Sequence, residues 1–301
     1  MARQSHAPCG AAFELPPDST EQVAAPRGLS RQDIAVAEVI DIDDPADPRV
    51  DDFRDLNSAD RRPDLPGRKG LVIAEGVVVV QRMLDSRFAP TALLGVEKRR
   101  QELSDELTGV DVPYYRTSAE VMAQVVGFHL NRGVLAVARR PASLTLDEVL
   151  EKARTVAVLE GVNDHENLGS MFRNAAGLGA EAILFGDRCA DPLYRRAVRV
   201  SMGHVLRVPF ASVPEWPHGL DILRRKGFQI IALTPNPTAV NLATAMMGDR
   251  VALLLGAEGP GLSEDAMRAT DVRARIPMSP GTDSLNVATA AAMAFYERVR
   301  T

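Results

Sequence analysis

From residue 70 onward, short apolar runs that do not alternate with polar residues recur along the chain, each followed by a stretch with helical spacing. A strand buried on one face alternates apolar with polar side chains, whereas a strand buried on both faces does not. "TVAVLEGV", "AEAILFGD", "FQIIALTP" and "RVALLLGAEG" are of the second kind. Parallel neighbours need crossover connections, and the intervening amphipathic stretches supply them. The pattern predicts an α/β protein whose main sheet is parallel and covered by helices on both faces.

Two such runs are expected. The first reads "GLVIAEG" as a strand, "VVVVQRMLDS" as a helix and "TALLGV" as a strand. It continues with a charged helix "EKRRQELSDELTG" ending at Gly109, a strand "VPYYRTS", a helix "SAEVMAQVVG" and a closing strand "GVLAVARR". Residues 48–140 therefore form a small α/β domain, and 141–153 a linker with one short helix. The second run, 154–301, carries the longer sheet. It includes a helix over "DPLYRRAVRVSMGH" with Pro192 in its first turn, a strand "VRARIPM", and a last helix in "SLNVATAAAMAFYERVR". Residues 1–47 are expected to be largely disordered, being rich in Ala, Pro and acidic residues without periodicity.

Charge is distributed unevenly. The whole chain carries a formal −5, but residues 1–60 hold 5 Lys/Arg against 13 Asp/Glu. The remaining body is mildly basic, with clusters at 61–69, 98–100, 139–140, 195–199 and 224–226 that permit a phosphate-binding surface. Cys9 and Cys189 lie far apart and in no CxxC pair, which argues against a disulfide framework or structural zinc and fits a reducing cytoplasm. The scattered histidines suggest no metal site. No run is long and apolar enough to span a membrane, and the N-terminus lacks the basic-then-apolar form of a secretory signal.

In parallel α/β sheets, ligands bind beyond the carboxyl ends of the strands. Three strand-to-helix segments stand out there. In "LEGVNDHENLGSMFRNA", Asn167 is placed to cap a helix and Arg173 lies nearly two turns on, within reach of a phosphate. A plain cap with a surface Arg paired to Glu166 or Asp164 fits the same residues. In "LLLGAEGPGLSED", a strand empties into a turn with Gly256, Gly259 and Gly261. It matches neither GxxxxGK[ST] nor GxGxxG, and a purely structural turn is the alternative. In "RIPMSPGTDSLNVATAAAMAF", a strand ends near Met278 and a Pro-Gly loop leads to Ser284 and Asn286 before an alanine-rich helix. Ser284 is a candidate N-cap, which does not exclude a catalytic role.

In this order, the segments resemble the three motifs of the SpoU (TrmH-like) family of RNA ribose 2′-O-methyltransferases, within the SPOUT superfamily. Asn167, Gly169, Arg173 and Ala175 match the first. Gly256, Glu258, Gly259, Gly261, Leu262 and Ser263 match the second, and Ile276, Pro277, Met278, Ser284, Leu285 and Asn286 the third. Upstream, "IAEGVVVVQRML" and "GFHLNRGVLAVARRP" resemble the substrate-binding domain that often precedes the catalytic one. Asn174 stands where Thr is common, and Ala257 where Asn or Ser is frequent.

The resemblance implies a C-terminal domain with a deep trefoil knot and a homodimer with its active site near the subunit interface. It implies S-adenosylmethionine held near Thr234, Gly256, Glu258, Gly261, Ile276, Met278, Leu285 and Asn286. It also implies a structured RNA substrate, with ribosomal RNA ahead of tRNA, chosen by the N-terminal domain. Arg173 would activate the 2′-hydroxyl and hold the adjacent phosphate, and Asn167 would orient Arg173 or the ribose. Ser284 and Asn286 would hold the phosphate or cofactor side, and Glu258 would shape the glycine loop. The competing readings are a non-catalytic RNA-binding protein of the same fold and a dinucleotide-dependent enzyme. The second is weakened by the lack of either phosphate-loop pattern.

Overall fold

The computed structural model describes residues 37–58 and 69–300. In chain order the first layer contains β1 (Val39–Asp41), β2 (Leu71–Glu75), α1 (Val77–Leu84), β3 (Pro90–Gly95), α2 (Glu97–Glu102), β4 (Tyr114–Arg116), α3 (Ala119–Val126) and β5 (Val134–Arg139). The connector carries α4 (Leu146–Leu150). The second layer contains β6 (Thr155–Glu160), α5 (His165–Leu178), β7 (Ala182–Phe185), α6 (Arg195–Val200), β8 (Phe210–Ser212), α7 (Leu220–Arg225) and β9 (Phe228–Leu233). It closes with β10 (Val240–Asn241), β11 (Arg250–Gly256), α8 (Glu264–Arg268), β12 (Val272–Arg275) and α9 (Val287–Arg300).

The second sheet has the order β10-β12-β9-β11-β6-β7-β8, and every pairing in it is parallel. β6 is buried at all six positions and β11 at its five central ones. Non-alternating apolar runs thus mark strands covered on both faces, as the sequence pattern predicts. The first sheet, β1-β4-β3-β5-β2, is mixed: β5 runs antiparallel to both β2 and β3. The two layers are clasped where the buried carboxylate of Glu75, at the end of β2, accepts from Arg195 Nη1 of α6 at 2.8 Å.

Several local expectations shift. Residues 39–41, inside the span read as disordered, form β1 and pair in parallel with β4. Three residues give too short a pattern to stand out in an acidic stretch. Residues 1–36 of that span, and 61–68 of one basic cluster, lie outside the described residues. The helix expected to run to Gly109 stops at Glu102, and the chain continues in turns that bury Leu103 and Leu107. Ser104 and Asp105 are weak helix formers and sit at this break. The helix expected to begin at Pro192 begins at Arg195, because Asp191 holds the preceding residues in a turn by accepting from the Leu193 N–H at 2.9 Å. β12 ends at Arg275, before Ile276. No helix among the described residues is long and apolar enough to cross a membrane.

Candidate active site

Because the second sheet is parallel, the carboxyl ends of β6, β9, β11 and β12 share one edge. The chain leaves that edge through Glu160, Thr234, Gly256 and Ile276.

At the end of β6, α5 starts with Asp164, whose carboxylate accepts from the backbone N–H groups of Glu166 (2.9 Å) and Asn167 (2.8 Å). This corrects the expectation that Asn167 caps the helix. A carboxylate suits the positive end of the dipole, and it leaves the Asn167 amide free for other work. Asn167 Nδ2 donates to Glu258 Oε1 at 3.0 Å. Asn286 Nδ2 donates to Asn167 Oδ1 and to Glu258 Oε1, each at 2.7 Å. Asn286 Oδ1 accepts from the N–H groups of Ala288 (3.0 Å) and Thr289 (3.1 Å), so Asn286 also caps α9, the role considered for Ser284. One carboxylate and two amides thus tie together three segments far apart in the chain.

The glycine loop is closed by its own backbone. The Gly261 N–H donates to the Ala257 carbonyl at 3.0 Å. A Cβ on Gly256 would lie 2.2 Å from the carbonyl carbon of Gly261, which excludes any side chain there. Gly259 and Gly261 adopt φ of +87° and +72° with open space beside them. Beneath the loop lies Glu160, which the sequence reading missed. It is 2% exposed. Its carboxylate accepts from the Ser263 N–H (2.8 Å), Ser263 Oγ (2.7 Å) and Trp216 Nε1 (2.7 Å). Ser263 Oγ in turn caps α8 by accepting from the Ala266 N–H. A carboxylate closing an otherwise apolar strand in "TVAVLE" was the available signal, since buried acids need partners.

Arg173 is placed differently. Six residues from Asn167 on an α-helix, it lies about 120° around the axis. It is exposed and makes no hydrogen bond or ion pair among the described residues, so pairing with Glu166 or Asp164 is not what holds it. Glu166 instead accepts from Arg196 Nη2 at 2.5 Å. Ser284 is exposed in the loop before α9 and stands outside the amide–carboxylate cluster. Thr234, Ile276, Met278 and Leu285 are half-buried at the same sheet edge. Asn174, one of the two departures, donates from Nδ2 to the Ala288 carbonyl at 3.0 Å and so fastens α5 to α9. Gly169 lets α6 approach: a Cβ there would lie 2.8 Å from the Ala197 carbonyl oxygen. Among the described residues no group of three or more His, Cys, Asp or Glu converges as a metal site.

Residues 154–296 match the SpoU rRNA Methylase family. A protein of Mycobacterium bovis named as an uncharacterized tRNA/rRNA methyltransferase is 65% identical over 278 residues, covering 91% of this chain and 94% of that protein. The Bacillus subtilis 23S rRNA (guanosine(2553)-2′-O)-methyltransferase RlmP is 27% identical over 248 residues, 82% of this chain and 94% of that protein. The AdoMet-bound structure of an rRNA methyltransferase from Sinorhizobium meliloti superposes with a TM-score of 0.72 at 24% identity, covering 87% of this chain and 98% of that one.

Proposed function

Since this chain belongs to the SpoU family of RNA methyltransferases, we propose that it moves a methyl group from S-adenosylmethionine to a ribose 2′-hydroxyl of ribosomal RNA. The observation that carries the reading is the closure of Asn167, Glu258 and Asn286 at the carboxyl edge of the parallel sheet. Each comes from a different motif, so the three motifs form one site.

The residues at this edge fit the cofactor. The loop Gly256–Leu262 is too tight at Gly256 for a side chain and offers backbone amides and carbonyls. Ile276, Met278 and Leu285 add apolar surface for an adenine and a methionine chain, with Thr234 at the same sheet edge. Bound there, S-adenosylmethionine supplies an electrophilic methyl on a sulfonium. Glu258, fixed by two amide donors, holds the loop in one shape. Asn167 and Asn286 hold that carboxylate, and Ser284 faces solvent where a phosphate arrives.

Arg173 meets the RNA. A guanidinium is a fixed planar charge rather than a base, so Arg173 acts by charge. It binds the phosphate next to the reacting ribose and stabilises the alkoxide that develops on the 2′-oxygen. The 2′-hydroxyl proton passes to solvent water, one for each methyl transferred. The reading extends to a trefoil knot through which the chain reaches α9, supported by the packing of α9 on both α5 and β11. It extends also to a homodimer, supported by a row of exposed apolar side chains on α9, Met293, Tyr296 and Val299. The cytoplasm, where ribosomal RNA and a free thiol coexist, is the compartment this reading requires.

The test is methylation of unmodified 23S rRNA by purified protein with labelled S-adenosylmethionine, followed by mapping of the modified nucleotide. A 2′-O-methyl ribose is expected, and Arg173→Ala should lower the rate by about 100-fold or more. Methyl groups on a base, or transfer confined to tRNA, would overturn the assignment.

A further inference from the structure

Arg82 of α1 reaches from the first layer to the second and donates from Nη1 to the carbonyl of Met202. The turn it grips is left-handed at two successive residues, Met202 (φ +55°) and Gly203 (φ +83°). A Cβ on Gly203 would lie 3.2 Å from Val79 Cγ1 and 3.4 Å from Arg82 Cβ, so α1 is seated directly on the turn. His204 follows, half-buried, at the start of a short 3-10 helix, His204–Leu206.

The charged groups that act on His204 are Arg82 from α1, Arg207 from its own segment and Arg173 from α5, all cationic. Arg82 is acted on in turn by Arg207 and Arg173. Burial first, and then these cations, hold the His204 imidazole below its ordinary range. Among the described residues the carboxylate paired with this cluster is Asp85, 3.6 Å from Arg207, with both side chains about half exposed, a geometry that contributes little. Three guanidinium groups and an imidazole have therefore been gathered from both layers with almost no internal counter-charge. Such clusters attract polyanions, and their self-repulsion is relieved when one binds.

We propose that Arg82, Arg173, His204 and Arg207 form one RNA-phosphate site spanning the two layers, with His204 becoming imidazolium when a backbone phosphate docks. This rests on the RNA reading above and adds to it. The first layer would contribute through Arg82, which with Arg173 is one of the cations acting on His204, and the phosphate held there would fix the ribose register for methyl transfer. The sign of the pH effect follows. A phosphate raises the His204 pKa in the complex above its value in the free protein, so binding gains strength as pH falls through that interval.

The experiment is filter binding of in-vitro-transcribed, unmodified 23S rRNA to the full chain, across salt and between about pH 5.5 and 8. His204→Gln should weaken binding by about 3- to 10-fold at the acid end and remove the wild-type pH increment. Arg82→Gln and Arg207→Gln should each reduce the salt slope by about one. Arg82 also holds the turn, so its variant is read alongside thermal melting. Arg207 is exposed, and Arg207→Gln tests the site without that burden. If wild-type protein binds and methylates this RNA while His204→Gln and Arg207→Gln match it in affinity, pH dependence and salt slope, the phosphate site is overturned alone. If wild-type protein ignores 23S rRNA, the functional reading falls first and the site with it.

Discussion

Asn286 donates to Asn167 and Glu258 while accepting from two backbone N–H groups at the start of α9, so one substitution acts on two levels. Asn286→Ala removes a helix cap worth about 1 kcal/mol and frees the Glu258 carboxylate from one of its two holders. Thermal melting should register the first loss. Methyl-transfer assays should register the second as a fall of about 10- to 100-fold. Asn286→Asp separates the two, because it keeps the acceptor for the cap while setting a second carboxylate against Glu258. Near wild-type melting with strongly reduced transfer is expected. At this scale the motif residues were legible as a group but their partners were not. Asn167 reads as a cap from its position alone. Only the presence of Asp164 three residues earlier, a better acceptor at a positive helix end, shows that its side chain is available elsewhere. Glu160 is inconspicuous because it closes a strand that is otherwise apolar but for its first residue.

The elements that build the site are short, and their ends are fixed by single groups. Asp164→Ala strips two N–H groups at the start of α5 of their acceptor. It should cost about 1 kcal/mol, read as a fall in melting temperature of about 2–4 °C. Gly256→Ala is harsher in a different way. Its Cβ would meet backbone, not a flexible side chain, so the loop must open. Calorimetric titration should then show S-adenosylmethionine affinity falling by at least about tenfold, with melting changed far less than affinity. Equal affinity in this variant would remove the loop from the cofactor site. The strands and helices themselves were largely readable, because burial on both faces writes itself as unbroken apolar runs. What could not be read were three of the shortest strands. β1, β8 and β10 gain their hydrogen bonds from neighbours that lie far away in sequence, and no local period encodes that. Helix starts slipped for a related reason: an Asx turn at Asp191 displaced the helix that Pro192 alone would have begun.

At the scale of the molecule, α9 buries Val287, Ala288, Ala291, Ala294 and Phe295 on one side and exposes Met293, Tyr296 and Val299 on the other. Three apolar side chains at three-residue spacing form a row on a helix face, and the proposed second copy of the chain would cover it. Tyr296→Asp should turn a dimer into a monomer in sedimentation or light scattering, with transfer activity falling in parallel. An unchanged mass would place the interface elsewhere. The parallel order of the larger sheet was foreseeable from its strands. The mixed first sheet was not, because antiparallel β5 is as apolar as its neighbours and the direction of a strand leaves no mark on its composition.

Trp216 is the only tryptophan in the chain. Its indole N–H donates to Glu160, the same carboxylate that holds Ser263 at the foot of the glycine loop. A single fluorophore therefore sits one carboxylate away from the segment that the cofactor would contact. Its emission is an intrinsic gauge of that loop: any rearrangement that loosens Ser263 alters the charge facing the indole. Titration followed by fluorescence would time loop closure in the unlabelled protein, before any methyl group has moved.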